Sequence, residues 1–153
     1  MQTVMVLHNL IRWAVIIFAL WTLFSAISGV TSKRSYTSSD NRAGFLFTLS
    51  CDIQLVLGLV LYFANSWFDR LKHLGDNMKD ANSRFFTMEH ALLMIIAWIL
   101  VHVGRVSVKR AITPAAKHKR SLLFFGLAIL IILAAVPWPF REAIARPLYR
   151  WFS

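Results

Sequence analysis

Four long apolar stretches, at residues 7–30, 43–67, 85–106 and 121–140, take up most of this chain. A helix needs about 20 mostly apolar residues to cross about 30 Å of hydrocarbon, so each stretch is long enough to span a bilayer. Inside the hydrocarbon, backbone amides and carbonyls have no water to bond, which makes helices the natural reading. Short connections favour antiparallel neighbours. The expected fold is an all-α, integral membrane four-helix up-and-down bundle. Its helices are placed at 7–30, 43–67, 85–106 and 114–137, followed by an amphipathic tail over 141–153. With 153 residues in all, the chain reads as a single transmembrane domain.

Charge supports that reading. The formal net charge of +10 would suggest nucleic acid in a soluble protein. Here the basic residues fall in the loops, where they set topology and meet anionic headgroups, so nucleic acid is not an expected partner. Lys33, Arg34 and Arg42 follow the first stretch; Arg105 stands at the end of the third, and Lys109, Arg110, Lys117, Lys119 and Arg120 follow it. Positive residues in short loops mark the cytoplasmic side. The expected location is a bacterial inner membrane, with both termini on the periplasmic side. The first basic residue, Arg12, lies inside the first stretch, so that helix is expected to be retained rather than cleaved as a leader.

Turn chemistry punctuates the helices. Ser39-Asp40-Asn41 offers side-chain oxygens to cap the second helix. Thr113-Pro114 suits the start of the fourth, with proline where its missing amide costs nothing. Pro137-Trp138-Pro139 ends it. Residues 67–74, and 144–152 with Leu148 and Trp151 turned to lipid, suit short interfacial segments.

Polar groups within the spans are the candidates for chemistry, because a charged side chain at mid-span costs on the order of 3 kcal/mol on insertion scales. His8 opens the first helix, and His90 lies near the start of the third, on the same side of the membrane. Two imidazoles at one depth on facing helices are what a six-coordinate b-type haem requires. Arg12, four residues after His8, shares its face and suits a haem propionate or Glu89. Met94, four after His90, suits a porphyrin edge. Asp52 sits near mid-span. With Thr22, Ser25, Thr48 and His102 it is expected to form a polar cluster, serving either as a proton path or quinone-headgroup site or as a neutral hydrogen-bonded carboxyl. Gln54 suits an interhelical hydrogen bond, and Gly58 a close helix approach. His102 with His118 is a weaker ligand pair, since Lys117-His118-Lys119-Arg120 reads as a solvated basic face. Cys51, the one cysteine, reads as a packing residue and excludes a disulfide framework. The hydrolase and phosphate-loop signatures are missing.

These residues carry a resemblance. His8-Asn9-Leu10 with Arg12-Trp13, Asp40-Asn41, Gln54 with Gly58-Leu59 and Leu61-Tyr62, Met78-Lys79-Asp80, Arg84-Phe85 with Glu89-His90, Gly104-Arg105, Lys117-His118-Lys119 and Pro137-Trp138-Pro139 run along nearly the whole chain. In them it resembles small four-helix bacterial membrane proteins labelled cytochrome-b-like. The resemblance implies haem and electron transport. Relatives often carry histidine where this chain has Asp52; if that histidine ligates haem there, this chain lacks the ligand.

The expected function is a membrane b-type cytochrome, or a cytochrome-like subunit, in electron transfer. Its haem b is held by His8 and His90 toward the outer leaflet, and it exchanges electrons with a quinone or a partner haem protein. The alternative is a cofactor-free accessory subunit packed on a larger respiratory or transport complex. A proton-coupled transporter using Asp52 and His102 is a third reading.

Overall fold

The apolar stretches form four long helices in the computed structural model, which describes residues 1–148. They are α1 (Gln2–Thr31), α2 (Ser38–Ala64), α3 (Ala81–Arg110) and α4 (Pro114–Ala135), and all are long and apolar enough to cross a membrane. A 3-10 turn over Asp69–His73 and a helical turn over Leu74–Asn77 join α2 to α3. No strand occurs among the described residues. Each helix packs on its neighbours in the ring α1–α2–α3–α4, so α1 and α3 face one another across the diagonal.

The starts of α2, α3 and α4 lie where polar side chains satisfy free amides, not where hydropathy rises. α2 starts at Ser38, earlier than the sequence reading, and its cap is Thr37 rather than Ser39-Asp40-Asn41. The Thr37 hydroxyl accepts from the Asp40 amide, and the Asp40 carboxylate accepts from the Thr37 amide at 2.7 Å. Asp40 is thus the third helical residue of a capping box. That carboxylate also receives the Arg34 guanidinium at 2.7 Å. α3 reaches back to Ala81 because the Asp80 carboxylate accepts from the Ser83 amide at 2.7 Å. α4 begins as expected, with Thr113 capping the Ala116 amide and Pro114 in the first turn. It ends at Ala135, just ahead of Pro137.

The packing is that of a protein in lipid. Small residues line the contacts: Ala19, Ala26, Ala97, Ala128 and Ala135 are buried, while Ile17, Phe24 and Leu130 point outward. Lipid is as apolar as leucine, so close backbone approach and dispersion do the work that water exclusion does elsewhere. Phe47 and Phe125 meet edge to face at the centre, with ring centroids 5.8 Å apart. Cys51 belongs to this core.

Beyond α4 the chain folds back over the end of the bundle that holds the N-terminus. Over 141–148 it forms turns instead of an amphipathic helix, and Ile144 is buried. Three side chains of α1 hold its end: Arg12 donates to the Pro147 and Leu148 carbonyls, Trp13 Nε1 donates to Leu148 at 2.9 Å, and the Asn9 amide lies against the same pair. The expected lipid-facing role of Trp151 lies outside the described residues.

Candidate functional site

The N-terminal end of the bundle collects the polar groups of α1, α2 and α3. His8, on α1, faces α2: the Gln54 amide nitrogen lies 3.2 Å from its Nε2 and also donates to the His8 carbonyl at 3.0 Å. The ring rests over Gly58, where a Cβ would come within 3.3 Å of Cε1. Gly58 therefore admits the imidazole between two helices. His8 Nδ1 and Gln54 Oε1 are buried without a partner.

His90 sits on α3 just after a π turn at Phe85–Glu89, in which the His90 amide bonds back to the Phe85 carbonyl. That turn carries one residue more than an α turn, and it advances the ring around the helix. The Tyr62 hydroxyl of α2 donates to the Thr87 carbonyl within it at 2.6 Å. Phe85 and Phe86 pack beside the imidazole, with centroids 5.6 and 6.1 Å away. Nδ1 bonds the Ala135 carbonyl at the end of α4, 2.8 Å away. A carbonyl only accepts, so Nδ1 carries the hydrogen and Nε2 keeps its lone pair.

A metal held by side chains alone wants three or four donors. No group of three His, Cys, Asp or Glu side chains converges among the described residues. A haem brings its own equatorial nitrogens and asks the protein only for axial ligands. The donor chemistry fits that request. His90 has the second-shell hydrogen bond to Nδ1 that metal-ligating imidazoles usually make. On the other side, His8 Nε2 is engaged by the Gln54 amide, and a haem there would take the place of that bond.

The remaining candidates are placed as follows. Arg12 is engaged by the tail carbonyls, and Glu89 pairs with Arg84 at 2.7 Å. Met94 packs against the core. Asp52 meets His102 across the α2–α3 seam: Oδ1 accepts from His102 Nε2 at 2.8 Å and from Trp98 Nε1 at 2.6 Å. Thr22 and Thr48 do not join them. Their hydroxyls donate to the Phe18 and Gly44 carbonyls of their own helices. Trp98 was not among the expected partners, because an indole in an apolar run gives no sign of where its N–H points.

His118 corrects the sequence reading. It is not on a solvated face; it is fully buried, flat over Gly29 of α1 and 5.2 Å from the Tyr36 ring. Its Nε2 lies 3.4 Å from the Ser35 carbonyl. His102, by contrast, is turned to Asp52 at the α2–α3 seam, so these two histidines serve different helix contacts. Arg105 is buried nearby, facing Tyr36 and Gly44.

No known family model matches the sequence, and no curated protein or solved structure matches the chain.

Proposed function

We propose that this chain is a multi-pass membrane electron-transfer protein of the b-type cytochrome kind, with haem held between α1 and α3 by His8 and His90. The observation that carries the reading is the His90 tautomer: its Nδ1–H is spent on Ala135, and Nε2 is left with a free lone pair. The haem supplies one-electron chemistry when bound; the chain supplies ligation and orientation. His90 is aimed by the α4 carbonyl and by Phe85 and Phe86. His8 is aimed by Gly58 and Gln54. Arg12 holds the tail over the site, and the low-polarity surroundings tune the potential. On this reading the charge pattern of the loops sets the termini outside the cytoplasm of a bacterial cell, and a quinone or a partner haem protein exchanges the electrons.

One observation favours a second reading. Both imidazoles already have structural work, His8 in joining α1 to α2 through Gln54 and His90 in capping α4. A cofactor-free accessory subunit, docked on a larger respiratory or transport complex, uses them in this way.

An absorbance spectrum of protein purified from haem-replete cells separates the two. A Soret band, with α and β bands that sharpen on reduction, is the expected result. A colourless preparation that co-purifies with a larger complex overturns it in favour of the accessory reading.

A further inference from the structure

The Asp52–His102 pair lies at the outer edge of the bundle. Its side chains are 41% and 39% exposed although both helices read as membrane-spanning, and Asp52 is near the middle of α2. Both hydrogen bonds to the carboxylate fall on Oδ1. Oδ2 and His102 Nδ1 are left without a partner among the described residues. A carboxylate and an imidazole turned toward acyl chains are costly unless something polar meets them.

The residues around the pair are apolar and outward. Leu49 and Val56 on α2, and Ile95, Ile99 and Val106 on α3, are all exposed, and helical spacing puts them on the faces that carry Asp52 and His102. The polar pair is thus a small island in an otherwise apolar surface. What covers it must be apolar at its rim and must offer one donor and one acceptor at its centre.

This surface is complementary to itself. We propose that a second copy of the chain covers the α2–α3 seam about a two-fold axis. His102 Nδ1–H of each copy donates to Asp52 Oδ2 of the other. A two-fold axis makes every such contact twice, so the four side chains close a ring. With His102 protonated on both nitrogens, each copy's carboxylate is balanced by an imidazolium, and the ring is neutral overall. The site at His8 and His90 faces the interior of the bundle and takes no part, so the dimer does not depend on haem.

The test is single-molecule photobleaching of the full chain, carrying one fluorescent tag per copy, in lipid vesicles over a range of densities. Two-step bleaching is expected for the wild type. Asp52→Leu or His102→Leu should weaken the dimer at least about tenfold, since two interhelical hydrogen bonds are lost together. The double exchange Asp52→His with His102→Asp should restore it. If the leucine variants fail to fold, Ile99→Cys in the otherwise unchanged chain should cross-link to its counterpart, and Ile17→Cys on α1 should not. A wild type that stays monomeric at every density overturns the proposal. So do a dimer indifferent to both leucine variants, cross-linking through Ile17→Cys but not Ile99→Cys, and a monomer that retains a lipid-soluble ligand at the seam.

Discussion

The His90 imidazole and the Ala135 carbonyl are joined by a 2.8 Å hydrogen bond between the first turns of α3 and the last turn of α4. The last four carbonyls of a helix have no partner within it. At this end of α4 the Leu133 carbonyl accepts from Trp138, Ala134 from Arg141 and Ala135 from His90. One of these three bonds therefore both helps to finish one helix and fixes the tautomer of an imidazole on another.

Replacing either histidine should separate ligation from packing. His8→Ala and His90→Ala should each abolish the Soret band. His90→Ala should also lower stability by about 1–3 kcal/mol, the usual effect of orphaning a buried polar group. Gln54→Leu should keep the Soret band, because it frees His8 Nε2, yet it should weaken the α1–α2 contact. Absorbance and thermal unfolding in detergent read the two effects independently.

Glycine substitutions should divide sharply by position. At Gly29 a Cβ would stand 2.1 Å from His118 Nδ1, and at Gly104 it would stand 2.6 Å from the Phe124 Cβ. Gly29→Ala and Gly104→Ala should each destabilise by about 1–3 kcal/mol through overpacking. Gly126 has nothing within 4 Å of such a Cβ. Gly126→Ala should therefore raise stability by about 0.5–1 kcal/mol through helix propensity alone. The order of the three midpoints in thermal unfolding checks the assignment.

The tail should loosen when α1 lets go of it. Arg12→Ala removes the guanidinium that binds the Pro147 and Leu148 carbonyls, and Trp13→Phe removes the indole N–H that donates to Leu148. Either change should speed proteolysis and hydrogen exchange over 141–148, with the double variant faster than both. Exchange within the middle of α2 should stay as it is.

The start of α3 should depend on pH. The Ser83 amide holds the exposed Asp80 carboxyl below its ordinary carboxylate range. The folded state thus binds its proton less readily than the unfolded chain does. The cap's contribution is complete above the ordinary carboxylate range and fades as the pH falls through the depressed folded value. The protection of the Ser83 amide, the slowing of its exchange relative to that of an unstructured chain at the same pH, should fall on acidification over that range. Asp80→Asn should remove the pH dependence and keep most of the cap, since asparagine is also a good N-cap.

Thr37 tests the start of α2. Thr37→Ala removes the hydroxyl side of the capping box and leaves Asp40 bound to Arg34. A loss of about 1 kcal/mol is expected, read from thermal unfolding.

The four spans, their order and their turns were legible because lipid imposes long apolar runs, and because caps need particular side chains next to them. Thr113-Pro114 and the Pro137 stop are local signals of that kind. The same locality explains the misplaced α2 cap. Ser39, Asp40 and Asn41 all look like caps, and only the backbone geometry assigns that position to Thr37 and makes Asp40 its partner. Gln54 and Gly58 announced a helix contact, yet not that His8 would fill it.

What a side chain meets across a seam is a property of helix rotation and neighbour order, and neither is written in the spacing of one segment. His118 sits in a run of lysine and arginine and still turns inward, because Gly29 leaves room for a flat ring. Asp52 finds His102 and Trp98 because α2 borders α3. Arg12 reaches Pro147 because the tail folds back. The chain's apolar periods determined that four helices cross a bilayer. Only their packing decided which polar groups face each other, since a hydrogen bond depends on angles and distances that no single helix sets.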